Sequence, residues 1–294
     1  MVDMVLDARN VVGESIVHDE RNAALCWVDI VGRRIHRLVL PSGDLQCWDT
    51  PEIVTSIGLA ADGGAVIGMA KTVARFDFAG TITPFAEVEP DLPGNRLNEG
   101  VVAPDGSFWV GTMQNNIAPD GSPEDVTAST GRLYRVTPDG AVTPLSDDRF
   151  GITNTMVWTD DGRLITADTM ENALYSYAIG PGGSLRDRRT VLAGFERGLP
   201  DGSCIDADGF IWNCRVVGGA CLIRMAPDGR VDRVVDLPCS WPTSCAFGGA
   251  DLSTLYVTSA RFTMDADHLA ANPQEGALFA VDLGVKGLPS HRFG

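Results

Sequence analysis

Short apolar runs alternate with turns rich in Asp and Gly along this chain, and the alternation recurs six times. The turn-plus-strand units occupy residues 19–30, 61–68, 104–112, 160–167, 207–213 and 250–257, at intervals of roughly 42 to 56 residues. Pro104-Asp-Gly-Ser-Phe-Trp-Val-Gly-Thr112 is representative: Asp-Gly between apolar runs marks a hairpin, because both turn positions tolerate positive φ. A second strand with alternating apolar residues follows each unit, as in Arg34–Val39, Arg132–Val136, Ala173–Tyr177 and Cys221–Met225. A further turn and an outer strand come next, as in Pro138-Asp-Gly-Ala-Val142. Four strands per unit and six units predict an all-β, six-bladed β-propeller with four antiparallel strands per blade, spanning residues 1–294. Either the N-terminal Met4–Ala8 or the C-terminal tail supplies the outer strand of the closing blade.

In this register the strand before each turn lies innermost, and its first residues face the central axis. Counting back three residues from the first apolar position gives Glu14, Thr55, Asn98, Asn154, Asp201 and Thr243. The placement is firmest for Asn98, Asn154 and Asp201, each seven residues before the Asp of its Asp-Gly turn. Taken singly, Asn and Asp here read as turn caps. Two carboxylates and two amides converging on one axis read differently: an oxygen-only donor set suits a hard divalent cation. Without a cation, Glu14 and Asp201 would repel each other in a desolvated site.

Strand direction adds a second expectation. The start of a first strand and the end of the second share a face, so the loops after the second strands overhang the predicted cluster. Two of these are long: Gln114–Thr130, and Arg261–Glu275 with a short helix expected around Asp265–Ala271. Long loops on a rigid scaffold are where substrate binding usually resides.

Charge narrows the partners. Against 23 Lys and Arg stand 39 Asp and Glu, a net charge of −16, which disfavours nucleic acid and gives no reason to bind an anionic membrane. No apolar run of signal-peptide or membrane-spanning type occurs, and seven cysteines without a CxxC pair fit reduced thiols, so a cytoplasmic protein is expected. It is expected to be a monomer or weak homo-oligomer. There is no Gly-x-Ser-x-Gly elbow, and the four histidines are scattered, which argues against a serine hydrolase and a histidine-bound zinc site. Cys204, beside Asp201, reads as core packing, as do Trp27, Trp109 and Trp212 in matching second strands.

The chain resembles the SMP-30/gluconolactonase/regucalcin-like family over nearly its whole length. The resemblance is carried by Gly13-Glu14-Ser15, Arg96-Leu-Asn98-Glu-Gly100, Gly111-Thr-Met113, Asn154, Leu199-Pro-Asp201-Gly-Ser-Cys-Ile-Asp206, Thr243–Gly249, Leu255–Arg261 and Pro273–Phe279. It implies one divalent metal ion (Ca²⁺, Zn²⁺, Mn²⁺ or Fe²⁺) held by Glu14, Asn154 and Asp201, with Arg96 and Asn98 on the substrate. Glu99, where the family commonly has Asp, is grouped with these substrate residues. The implied activity is hydrolysis of a small-molecule sugar lactone, an aldonolactone, with Asp201 as candidate base. Two other departures are Ile16, where Pro is common, and Thr155, where Gly is usual. The overhanging loops carry few cations, Arg261 being the one arginine, so a neutral sugar is favoured. A non-catalytic metal-binding propeller and a phosphotriester-type hydrolase on the same metal are the alternatives.

Overall fold

A computed structural model describes all 294 residues. The repeat folds as six four-stranded antiparallel sheets, the blades of a β-propeller. Blade 1 comprises Gly13–Asp19, Ala24–Asp29, Arg34–Val39 and Asp44–Asp49 in that spatial order, and blades 2 to 5 repeat the pattern. The first strands are Gly13–Asp19, Val54–Leu59, Asn95–Val102, Thr153–Trp158, Leu199–Ile205 and Pro242–Gly248. Each touches the first strand of the next blade, and the sixth touches the first, so they form a closed inner ring. Closure leaves no open sheet edge around the axis.

The chain closes blade 6 with its N-terminus. Val2–Leu6 pairs antiparallel with Leu278–Asp282, with Val2 opposite Val281 and Met4 opposite Phe279. The C-terminal tail has another task. Phe293 bridges Ala60, and Arg292 pairs with Asp19 at 2.8 Å and Glu20 at 3.1 Å, which ties the tail beneath blades 1 and 2. No helix is long and apolar enough to cross a membrane.

Burial departs from the predicted alternation: inner and second strands are buried almost throughout, Cys221–Met225 is wholly buried, and exposure is concentrated in the outer strands such as Asp44–Asp49. Trp27, Trp109 and Trp212 are in the blade core, and the Trp27 ring stacks on His36 at 4.8 Å. Trp212 Nε1 donates to Asp206 Oδ2 at 2.9 Å, so a buried polar edge has its partner. In the Asp-Gly turns only the glycine takes positive φ, 77° at Gly106 and 76° at Gly162, while Asp105 and Asp161 do not.

One irregularity recurs six times. Every inner strand carries a break in register near its start: Glu14/Val17, Val54/Ser56, Leu97/Gly100, Asn154/Met156, Pro200/Ser203 and Pro242/Cys245. A bulge re-aims the side chains beside it. The six residues predicted to face the axis all lie at these breaks.

Candidate active site

Glu14, Thr55, Asn98, Asn154, Asp201 and Thr243 are all buried, none more than 9% exposed. The bulges put some residues after them in the left-handed region, with φ of 53° at Ser15 and 57° at Thr155. That conformation suits glycine and strains a β-branched residue. Thr155 is held there by its hydroxyl, which donates to the Asp201 carbonyl and lies 2.8 Å from Ser203 Oγ. The threonine thereby ties blade 4 to blade 5. Ile16 has a comparable explanation: its N–H donates to Ser244 Oγ at 3.3 Å, a bond that proline could not make.

Electrostatics at the centre are unfavourable to the bare protein. Burial raises the Glu14 carboxyl well above its ordinary range, and repulsion from Asp201 and Glu99 adds to it. Asp201 is raised by burial and then by Glu99, while a hydrogen bond with Glu14 partly offsets this. Burial also lifts Glu99, to about 7. Arg96, pulled down to about 10 by burial, remains a cation near neutral pH, and its charge favours ionised Glu14. Were all three acids ionised, they would outnumber the Arg96 and Arg215 cations acting on them and leave net negative charge to be compensated.

Proton accounting orients the amides. Thr169 Oγ1 donates to the Pro200 carbonyl at 2.8 Å, so it can only accept from Asn154, whose Nδ2 lies 2.9 Å away. Asn154 Oδ1 is therefore the atom left free of protein partners. Asn98 is more committed: Nδ2 donates to the Thr153 carbonyl, and Oδ1 accepts from Arg96 Nη1, both at 2.8 Å. Arg96 also donates through Nη1 to the Leu97 carbonyl and through Nε and Nη2 to Asn116 Oδ1, leaving a single N–H uncommitted. Asn116 belongs to the long loop at 114–130, so that loop does reach the predicted site.

Residues from the second strands hold the segments leading into the inner strands. The Asp29 carboxylate accepts the N–H groups of Val11 and Val12, and that of Asp168 accepts those of Gly151 and Ile152. In each case the last N–H is two residues before the axial side chain, Glu14 or Asn154. Blade 5 uses a cation instead. Fully buried Arg215 donates to the carbonyls of Arg197 and Gly198, just before Asp201, while Asn213 Nδ2 donates to the Asp201 carbonyl at 3.0 Å. None of these supports was singled out from the sequence. The signal available was position: Asp29 and Asp168 end equivalent second strands.

The other long loop carries the expected helix, Ala266–Ala271, capped by Asp265, whose side chain accepts the His268 N–H. Buried Glu275 fastens this loop by accepting from Ser240 N, Ser240 Oγ and His268 Nε2. Past the axial residues, a chamber of about 440 Å³ continues through the disc, lined by the next residues of the inner strands and by Leu288–His291 of the tail. Glu99 lines this chamber, with its Oε1 accepting the Gly100 N–H. Predicted among the substrate residues, it lies in the same register break as Asn98 and is close enough to Glu14 and Asp201 to repel them.

Asn154 Oδ1 and the carboxylates of Glu14 and Asp201 are all oxygen donors, the chemistry that suits a hard cation, whose charge would offset the repulsion just described. No group of three or more His, Cys, Asp or Glu side chains is arranged to hold a metal ion, so an amide must complete any such set.

Comparison with known proteins agrees with the fold and extends it. A regucalcin of Danio rerio is 36% identical over 99% of this chain and 98% of its own length. A 6-deoxy-6-sulfogluconolactonase of Pseudomonas putida is 33% identical, over 95% of this chain and 93% of that one. Among solved structures, a calcium-binding protein, regucalcin, from Agrobacterium tumefaciens superposes with a TM-score of 0.90 at 30% identity, covering 99% of this chain and 96% of its own. Residues 12–261 match the family described as SMP-30/Gluconolactonase/LRE-like region, and the chain belongs to that family.

Proposed function

We propose that this protein is a metal-dependent lactonase that opens a sugar-acid lactone to the free aldonic acid. The observation that carries the reading is the hydrogen-bonded pairing of the buried Glu14 and Asp201 carboxyls, with Arg96 close enough to influence Glu14; Asn154, at the equivalent strand break of blade 4, has its Oδ1 free of protein partners. The lactonase named in Pseudomonas putida and the calcium-binding relative support the activity and the metal.

Glu14, Asn154 and Asp201 would hold the ion. Bound there, it supplies Lewis-acid polarisation of the ester carbonyl and compensates developing negative charge. The chain's own residues do the rest. The Asp201 carboxylate accepts the proton of the attacking water, and its backbone is fixed for that purpose by Asn213 and Thr155. The uncommitted N–H of Arg96 and the second amide hydrogen of Asn98 face the sugar hydroxyls and the oxyanion. Arg96 is held rigid by Asn116, Asn98 and Leu97, so little rotamer freedom is lost on binding.

The test is acid release from a panel of aldonolactones, before and after chelation. The proposal expects turnover that vanishes with chelator and returns with a divalent cation. Binding of the cation with no lactone opened faster than in buffer would leave only a non-catalytic metal-binding propeller.

A further inference from the structure

Three thiols gather where blade 5 meets blade 6. Cys204 lies in the inner strand Leu199–Ile205, Cys214 in its neighbour Ile211–Val216, and Cys245 in the inner strand Pro242–Gly248. The sulfurs of Cys204 and Cys245 are 3.6 Å apart across the blade boundary. All seven cysteines are free. Buried thiols are ordinarily inert packing groups. This pair differs in access, because Cys204 is only partly buried and both residues line the central chamber. Cys214 is fully buried and does not line it.

Charge is unevenly shared among the three. Hydrogen bonds from the thiols of Cys204 and Cys214 favour the thiolate of Cys245 against its burial. Burial raises Cys204 and Cys214 well above the ordinary thiol range. Cys245 is assigned as the attacking sulfur, and Cys204, 3.6 Å away across the blade boundary, is the sulfur placed to resolve it.

We propose that Cys204 and Cys245 are an oxidisable dithiol that closes to a disulfide on exposure to hydrogen peroxide, stapling blade 5 to blade 6. In the first step Cys245 sulfur attacks a peroxide oxygen; an S–O bond forms as the O–O bond breaks, and the released hydroxide takes the thiol proton to leave as water. In the second, Cys204 sulfur attacks the sulfenic sulfur of Cys245; an S–S bond forms as the S–O bond breaks, releasing a second water with the Cys204 proton. Two thiols lose two electrons and one peroxide gains them. The sulfurs must approach by about 1.5 Å to reach bonding distance. That approach draws together two inner strands, one of which carries Asp201 three residues before Cys204. The proposal does not depend on the lactonase reading.

The experiment uses the intact protein, treated with hydrogen peroxide, quenched with N-ethylmaleimide in denaturant and mapped by peptide mass spectrometry. The expected result is one peptide pair joined through Cys204 and Cys245, two hydrogens lighter than the reduced pair, and separated by dithiothreitol. A Cys204→Ser protein should lose the joined pair and retain a sulfenic acid at Cys245 that dimedone traps. The proposal is overturned if Cys204 and Cys245 are both fully alkylated under conditions that oxidise exposed Cys47. Joining of Cys245 to Cys214 instead would overturn it equally.

Discussion

Blades 1, 4 and 5 and blades 2 and 6 share one backbone device and use it for different ends. All five break register at the same point of the inner strand. In blades 1, 4 and 5 the residue at the break is Glu14, Asn154 or Asp201; Asn154 Oδ1 has no protein partner, and the two carboxyls bond to each other and to the next residue's N–H. In blade 6 the Thr243 hydroxyl is consumed by the Gly13 carbonyl, one residue before Glu14. In blade 2 Thr55 Oγ1 is buried with no partner at all. The fold therefore supplies six equivalent positions, and residue type alone decides which could hold an ion and which merely brace the ring.

The sharpest way to break this comparison is to neutralise one acid. Asp201→Asn should lower kcat/KM by about 10³-fold or more, since ligand and base functions are both impaired. Its melting temperature without metal should be equal to or above that of the parent, because a buried repulsion is removed. Steady-state kinetics and thermal denaturation check the two halves, and a variant with near-normal turnover would remove Asp201 from the chemistry.

A pH series tests the same charge cluster without mutation. Glu99 is raised from 4.5 to about 7 by burial, so the folded protein keeps a proton that the unfolded chain has released between those values. Stability of the metal-free protein should thus fall as pH rises from about 4.5 to 7, on the order of 3 kcal/mol from this group. The raised Glu14 and Asp201 push in the same direction. Denaturant midpoints with and without a divalent cation measure it; the cation should flatten the loss. A metal-free midpoint that rises across this window would contradict the electrostatic account.

The supports in the second strands should matter less than the axial residues. Asp168→Asn loses part of the grip on Gly151 and Ile152, and should weaken cation affinity by roughly 10- to 100-fold while leaving the same ion able to bind. Titration calorimetry reads this directly. Smallest of all should be Thr55→Val, which removes a hydroxyl that has no partner. Turnover should stay within about twofold, and stability should be unchanged or higher by less than about 1 kcal/mol. A large loss of turnover in Thr55→Val would show that blade 2 belongs with blades 1, 4 and 5.

The sequence made the repeat readable because Asp-Gly turns punctuate it, and the turn-to-axis spacing of seven residues carried that register inward to Asn98, Asn154 and Asp201. The bulges themselves left no local mark, since an extra residue in an apolar strand looks like ordinary strand. Nor could the pattern decide how the ring closes: Val2–Leu6 and the tail are both short segments of mixed polarity, and only pairing with Leu278–Asp282 distinguishes them. Asn116 was hidden within a loop, and Arg215 and Asn213 within a strand, because their roles arise from contacts across sequence gaps. Thr155 looked anomalous where glycine is usual, and its positive φ together with its hydroxyl bonds accounts for both the preference and the exception.

The central claim is that side chains from blades 1, 4 and 5 share one cation, and diffraction from crystals grown with Mn²⁺ tests it most directly. The account predicts one anomalous peak with oxygens of Glu14, Asn154 and Asp201 all within about 2.6 Å of it. A peak bound elsewhere, or full manganese occupancy with any of these three side chains turned away, would contradict it.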